Sequence, residues 1–217
     1  MADIFHEIDE EVRRERLHRL WERYSIHIIA LAVLIVVGVG GWRGYQWWEA
    51  KKAAEAGAAY EAAATLSEQG KHAEAQAAFA KIATQAPSGY RALAHLRAAG
   101  ELAITDPKQA AKAYEDLAAD KSLGQTLQDL AAVRAGMLLV DTASLDDLRK
   151  QLDALTAPGR PFRHTARELL ALSAWRSHDA TTAKHYLDMI TADAETPAGT
   201  RARAEVLLAL IAGTGKG

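Results

Sequence analysis

Residues 68–87 read EQGKHAEAQAAFAKIATQAP, and this stretch predicts a tight turn followed by a helix. Gly70 allows the tight turn, because glycine adopts backbone conformations that other residues avoid. Ala75 is small enough to let a second helix approach closely. Phe79 lies one helical turn after Ala75, on the same face, where its ring fills the gap toward the next structural unit. Pro87 ends the helix because proline cannot continue it. The stretch therefore predicts the second helix of a closely packed helical pair.

The same spacing recurs along the chain. Ala110 and Tyr114 repeat it 35 residues after Ala75 and Phe79, and Ala183 and Leu187 repeat it again, whereas residues 144–155 predict a helix without the signature. No alternating β-branched run predicts a strand. Gly, Pro and Asp-Pro breakers recur too often for one long coiled coil, which is the alternative that alanine richness suggests.

These breakers divide the region after residue 48 into short helices joined by short turns, which predicts an α-solenoid. The predicted helices are Glu49–Glu68, Lys71–Gln85, Tyr90–Thr105, Pro107–Ala119, Leu123–Asp141, Ser144–Thr156, Arg163–Ser177, Ala180–Ala192 and Pro197–Ala212. They form about four pairs and a final capping helix. We expect the core to be carried by Phe79, Tyr114, Leu117, Leu148, Leu152, Leu187 and Ile190.

The Gly, Ala, Phe and Pro positions of residues 68–87 resemble the second half of a tetratricopeptide repeat. The first-helix positions for Trp, Leu and Gly are mostly alanine here, so the repeats are degenerate. The resemblance implies that the first helices line a concave surface that holds a partner. The implied positions are Tyr60, Ala64, Glu68, His95, Ala99, Leu102, Glu168, Leu172, Trp175 and Arg176. For Trp175, packing in the core between the terminal helices is the alternative to binding.

Upstream of the helices, residues 26–41 read IHIIALAVLIVVGVGG and contain no acid, lysine or arginine. Indole and phenol rings prefer the headgroup layer of a membrane, and such rings flank this run on both sides. They belong to Trp21, Tyr24, Trp42, Tyr45, Trp47 and Trp48. A helix over residues 24–48 would be roughly 37 Å long at ~1.5 Å per residue. The pattern predicts a transmembrane helix at residues 25–48.

A cleaved signal peptide is the main alternative to this anchor. Residues 1–25 contain five arginines and seven acids, which is a long and nearly balanced leader, and bulky tryptophans follow the apolar run where a peptidase prefers small residues. The nearest plausible cleavage triplet, Ala54-Glu55-Ala56, lies far downstream. A buried core helix is a third interpretation of the apolar run, but it would not explain why tryptophans flank the run on both sides. The sequence therefore favours an uncleaved anchor.

Basic residues near the apolar run predict the orientation. Five arginines precede it, whereas only Arg43, Lys51 and Lys52 follow it closely. Because lysine and arginine are enriched on the cytoplasmic side, we expect residues 1–24 to be cytosolic and residues 49–217 to be translocated. Residues 1–24 predict an amphipathic helix, either an ordinary juxtamembrane helix or a binding face. Gly40 and Gly44 form a small-xxx-small pair that could contact another span.

The sequence shows no catalytic motif. His164, His178 and His185 lack metal-site spacing, the chain has no cysteine, and the Gly-Thr-Gly-Lys-Gly tail lacks the spacing of a phosphate loop. The net charge of −2, with both signs interspersed, argues against a nucleic-acid partner. We therefore expect a protein that is not an enzyme and binds no cofactor or metal.

The whole layout resembles the bacterial YfgM-like family of single-span inner-membrane proteins, which are ancillary to the SecYEG translocon. FHEIDEEVRRERLHRLWERY, the span and residues 68–87 together carry the resemblance. It implies a periplasmic helical domain that acts as an adaptor between Sec translocon subunits and periplasmic chaperones or exported clients. An envelope scaffold that self-associates without translocon contact is the alternative, and homo-oligomer formation stays open. A released soluble enzyme is the third hypothesis.

Overall fold

The predicted helices are present in a computed structural model of the chain, which describes the backbone of residues 3–214 and the side chains of residues 21, 23–87 and 89–213. The described residues contain helices and no strand, which confirms the all-α fold class. Their nine α-helices are α1 (Asp3–Glu68), α2 (His72–Gln85), α3 (Ser88–Thr105), α4 (Pro107–Ala119), α5 (Gln125–Leu139), α6 (Leu145–Leu152), α7 (Arg163–Arg176), α8 (Ala180–Ala192) and α9 (Ala198–Thr214).

Helix α1 is longer than any segment that the sequence predicts. It continues without a break through residues 24–25 and 48–49, so the predicted helix Glu49–Glu68 is its last part. The chain nevertheless forms two compact units, which divide between Ala54 and Glu55. No glycine or proline with an unusual backbone interrupts α1, and the glycines of the apolar run are all helical. The division thus reflects packing and is not a break in the helix.

In the first unit, the large apolar side chains of α1 from Ile26 to Val39 are exposed. The described part of the chain contains one helix that is long and apolar enough to cross a membrane, and its most apolar stretch is fully unburied. The same length and composition also suit an N-terminal signal sequence. The amphipathic face predicted within residues 1–24 rests on side chains that mostly lie outside those described.

The rings that flank the apolar run are exposed, as membrane-interface anchors require. The ammonium of Lys52 lies 3.7 Å from the centroid of the Trp48 ring, and that of Lys51 lies 5.7 Å from the Trp47 ring. Both pairs are one helical turn apart, so each lysine stem covers an indole and keeps its charge at the polar end. The aromatic residues after the run therefore form an amphipathic rim with two basic groups.

In the second unit, the predicted breakers produce the turns. Gly70, with φ of 75°, occupies the left-handed region between α1 and α2, where glycine avoids the Cβ clash. Asp106 and Asp179 begin α4 and α8 by accepting hydrogen bonds of 2.9 Å from the backbone N–H groups of Gln109 and Thr182. His178 has φ of 59° and lies two residues before the start of α8, the same position that Gly70 has before α2.

Most helix bounds agree with the sequence prediction to within about two residues, but one helix is much shorter. Helix α6 ends at Leu152, and Asp153–Thr156 form a 3-10 turn where the sequence predicts continued α-helix. The Thr156 hydroxyl donates 2.7 Å to the Asp153 carbonyl, and the Tyr186 hydroxyl donates 2.9 Å to the Asp153 carboxylate. These local and cross-helix bonds accompany the tighter turn.

Three apolar clusters form the core of the second unit in chain order. The first joins the end of α1 to α2 and α3 around Phe79, and the second joins α3, α4 and α5 around Tyr114. The third joins α5 through α9 around Leu152, Leu170 and Ile190. Consecutive clusters share a helix, as in a solenoid. All seven side chains that the sequence predicts for the core are buried, which confirms the prediction.

Candidate partner-binding surface

The helices of the second unit alternate between two sets. The first helices are residues 55–68 of α1, with α3, α5, α7 and α9, and the second helices are α2, α4, α6 and α8. The exposed large aliphatic side chains found after residue 54 all lie on first helices. They are Leu93, Ile104, Met137, Leu172, Val206 and Leu210. Among the described residues, the second helices thus leave no large apolar side chain exposed, and the first helices present the apolar surface.

Helix α7 presents the predicted partner-binding residues as one stripe. Glu168, Leu172, Trp175 and Arg176 follow one another at helical spacing, and none of the four is buried. Trp175 is half-buried and belongs to none of the three core clusters. The Arg176 guanidinium donates to the carbonyl of Ala143 in the α5–α6 turn, which fixes the end of the stripe.

A groove of about 390 Å³ lies between α7 and α9 and has a mostly apolar lining. Glu168 and Leu172 contribute from α7, and Val206 and Leu210 contribute from α9. The Arg203 guanidinium donates to both carboxylate oxygens of Glu168, at 2.5 and 2.8 Å. The two charges therefore neutralise each other at the groove wall. The remaining surface of the groove is aliphatic, which suits apolar side chains of a partner.

The predicted positions on the earlier first helices lie outside this groove. Tyr60 packs edge-on against Phe79, with ring centroids 5.0 Å apart, and it is half-buried, while Glu68 is exposed. His95 and Leu102 are half-buried on α3. Ala99 lies in the second core cluster with alanines of α5. The structure therefore brings Glu168 and Leu172 into one groove but does not bring the earlier positions into it.

A cluster of charged side chains that the sequence analysis missed holds α7 in place. The Arg163 Nε donates 2.8 Å to Asp193, and Arg167 Nη1 donates 3.0 Å to the same carboxylate. Arg163 also pairs with Glu195, and its hydrogen bonds to Asp193 and Glu195 raise the pKa of its guanidinium above the usual range. The Arg163 hydrogen bond outweighs the desolvation of Asp193 and holds the pKa of that carboxyl far below its usual range. These residues connect α7 to the turn before α9, so they fix the two walls of the groove.

A second buried network joins the first two repeats. Glu101 of α3 accepts 2.7 Å from the Ser67 hydroxyl of α1 and lies 2.8 Å from Nδ1 of His72, the first residue of α2. Burial raises the pKa of Glu101, but the hydrogen bonds from His72 and Ser67 outweigh it, so the pKa lies below the usual value. Residues 29 and 34 positions apart in sequence meet here, which no local motif predicts.

The three histidines that the sequence analysis considered for a metal are dispersed. His164 lies 3.0 Å from the Thr196 hydroxyl, His178 is in the turn before α8, and His185 is exposed beside Tyr186. Burial lowers the pKa of His164, which favours its neutral form. Within the described part of the chain, no group of three or more acidic, histidine or cysteine residues could hold a metal ion.

Comparison with known proteins identifies one similarity. The model of a family described as the tetratricopeptide repeat-like domain matches residues 18–170. The match begins in α1, includes the apolar run and ends within α7. No curated protein and no solved structure matches the chain.

Proposed function

Because this chain belongs to the tetratricopeptide repeat-like domain family, we propose that it is a non-enzymatic, membrane-anchored adaptor that holds protein partners on its first helices. The observation that carries the proposal is the pairing of two features in one chain. The apolar stretch of α1 is fully unburied, and the second unit exposes its large aliphatic side chains on the first helices alone. Unburied apolar surface of both kinds needs a partner, a membrane in one case and a protein in the other.

We further propose that the adaptor is YfgM-like: it lies in the bacterial inner membrane with its N-terminus in the cytoplasm and its helical domain in the periplasm. There it associates with the Sec translocon and with chaperones or newly exported clients. The excess of arginine before the apolar run and the resemblance of the N-terminal block support this assignment. The exposed rim of Trp47, Trp48, Lys51 and Lys52 supports an anchor that stays in the membrane.

Two measurements test the proposal. Mass spectrometry of the mature protein should find residues 1–25 intact, because a cleaved signal peptide would remove them. Affinity purification of the full chain after mild detergent extraction should recover translocon subunits. A variant with the Ile26–Gly41 run replaced by an unrelated apolar span is the control for contacts made by the anchor itself. Recovery of none of the subunits in repeated purifications would refute the translocon assignment, and cross-linking that yields only homo-oligomers would favour self-association.

A further inference from the structure

One carboxylate in the turn between α8 and α9 accepts four hydrogen bonds. Oδ2 of Asp193 accepts from Arg163 Nε at 2.8 Å and from Arg167 Nη1 at 3.0 Å. Oδ1 accepts from Arg163 Nη2 at 3.3 Å and from the backbone N–H of Glu195 at 3.1 Å. An ionised carboxylate offers about four acceptor positions. Asp193 therefore has no acceptor position left for a further cation.

His164 lies beside this carboxylate and connects α7 to the same turn. Its side chain is 12% exposed, and its Nδ1 lies 3.0 Å from the Thr196 hydroxyl and 3.8 Å from Asp193 Oδ2. The Thr196 hydroxyl donates its only hydrogen to the Ile190 carbonyl, at 2.7 Å. It must therefore accept a hydrogen from the imidazole, so the neutral ring carries its proton on Nδ1. An uncharged imidazole thus joins α7 to the end of α8 and to the turn.

The charged groups around His164 are already engaged with one another. Arg163 and Arg167, whose side chains are 10% and 4% exposed, share Asp193. Arg163 also pairs with Glu195, but the Glu195 side chain is 80% exposed, so water screens its charge. The charged groups on the neighbouring elements are Arg160, paired with Asp129; Glu168, paired with Arg203; and Arg201, which donates 2.7 Å to the Asp193 carbonyl. The site therefore lacks a free carboxylate for a third buried positive charge.

Protonation of His164 would place such a third charge at this site. Burial and the charge of Arg163 lower the pKa of His164 and together outweigh the opposite effect of Asp193. The closed turn thus favours the neutral imidazole, whereas an opened turn exposes the ring to water, where its pKa is near 6.5. As the pH falls below this value, the opened state takes up the proton more readily than the closed state. Acid therefore favours opening.

We propose that His164 is a pH-sensitive latch: protonation of its imidazole releases the turn of residues 193–196, lets the start of α9 move away from α7, and so opens the groove between these two helices. The turn connects α8 to α9, so its release moves one wall of the groove and leaves α7 in place. The regulatory meaning of the latch rests on the adaptor role proposed above, because the groove is part of the proposed partner surface.

The test is hydrogen–deuterium exchange of the full chain in phosphatidylcholine nanodiscs at pH 7.5 and pH 5.5, followed by mass spectrometry. Unstructured peptides of the same sequence correct for the effect of pH on exchange itself, so that protection factors are compared. Protection of residues 193–205 should fall by at least about three-fold at pH 5.5, and by at most about ten-fold, because this pH lies one unit below 6.5. Helices α4 and α5 contain no histidine and should keep their protection.

Three variants assign the acid response to one imidazole. His164→Asn cannot become charged but can still donate to the Thr196 hydroxyl, so it should match the wild type at pH 7.5 and lose the fall in protection at pH 5.5. His185→Asn, at an exposed position on α8, is the matched control and should keep the fall. Thr196→Val removes the hydroxyl and should lower the protection of the turn at both pH values, because the Ile190 carbonyl loses its donor.

Three results would overturn the latch: equal protection of residues 193–205 at the two pH values, a fall in His164→Asn as large as in the wild type, or an equal fall in α4 and α5. The last result would show that acid weakens the whole domain. The exchange is measured without a partner, so it is independent of translocon recovery. Recovery with a turn that ignores pH would refute the latch alone, whereas an acid-sensitive turn without recovery would refute the translocon assignment alone.

Discussion

Replacement of Glu101 should weaken the packing between the first two repeats and lower the free energy of unfolding. The side chain is 4% exposed and accepts hydrogen bonds from Ser67 of α1 and His72 of α2. A hydrogen bond to a charged group stabilises a protein by about 1.5 kcal/mol or more. Glu101→Ala loses both bonds and should lower the free energy of unfolding by about 3 kcal/mol. Glu101→Gln keeps the shape and one acceptor oxygen, so it should cost roughly 1 kcal/mol.

The assay is urea denaturation of the full chain in detergent micelles, followed by far-UV circular dichroism at pH 7 and at pH 3.5. Glu115→Ala, at an exposed site on α4, is the control and should change the free energy by less than about 0.5 kcal/mol. Because the pKa of Glu101 is lowered from 4.5, its contribution is complete above that pH. The contribution is lost as the pH falls through the folded pKa. The difference between the wild type and Glu101→Gln should therefore shrink at pH 3.5.

If the free energy of unfolding of Glu101→Ala lies within about 0.5 kcal/mol of the wild-type value, the reasoning is refuted. Such a result would mean that the desolvation of the carboxylate cancels both hydrogen bonds. A difference between the wild type and Glu101→Gln that stays constant with pH would refute the assignment of the charged form. Other carboxylates with lowered pKa values, such as Asp193, titrate equally in both proteins and cancel in this comparison.

Three further substitutions test particular contacts by thermal and urea denaturation. Gly136→Ala should destabilise the domain by about 1–2 kcal/mol, because the new Cβ would lie 2.8 Å from a methyl of the buried Leu152; equal or higher stability would show that α5 and α6 separate freely. His178→Gly should stabilise by about 0.5–1 kcal/mol, because glycine relieves the left-handed backbone at φ of 59°, and any loss would indicate an unrecognised role of the imidazole. Arg167→Met should cost about 3 kcal/mol or more, because the carbonyls of Thr156 and Met189 lose their donors; a neutral result would contradict the bonding described for this residue.

Local chemistry explains why the sequence predicts the helices and much of the core. Pro, Gly and Asp residues act on the backbone within a few positions, so Asp106 and Gly70 mark their turns wherever the helices pack. Phe79 and Tyr114 are buried because they repeat at a spacing that already specifies the contact with the next helix. These features need no knowledge of the rest of the fold.

Long-range pairing explains what the sequence could not predict. Arg163 and Asp193 lie 30 positions apart, and nothing near either residue indicates the other. The apolar outer face of α9 was missed because Val206 and Leu210 also fit the pattern of a buried capping helix. Repeat register places His95 and Leu102 on the same set of helices as Glu168 and Leu172, but it does not indicate which of these positions line the groove.

The composition of the three core clusters has a mechanical consequence. The first cluster contains six alanines among its eight buried members and the middle cluster three among its five, whereas the third cluster is rich in leucine and isoleucine. Alanine gains little from burial, so the first two clusters should yield before the third when the domain is stretched. A partner that pulled on the last helices, while the other end of the chain was tethered, would separate the helices from α2 to α5 before the third cluster opened. The domain would then unfold from its alanine-rich helices and keep the groove between α7 and α9 until last.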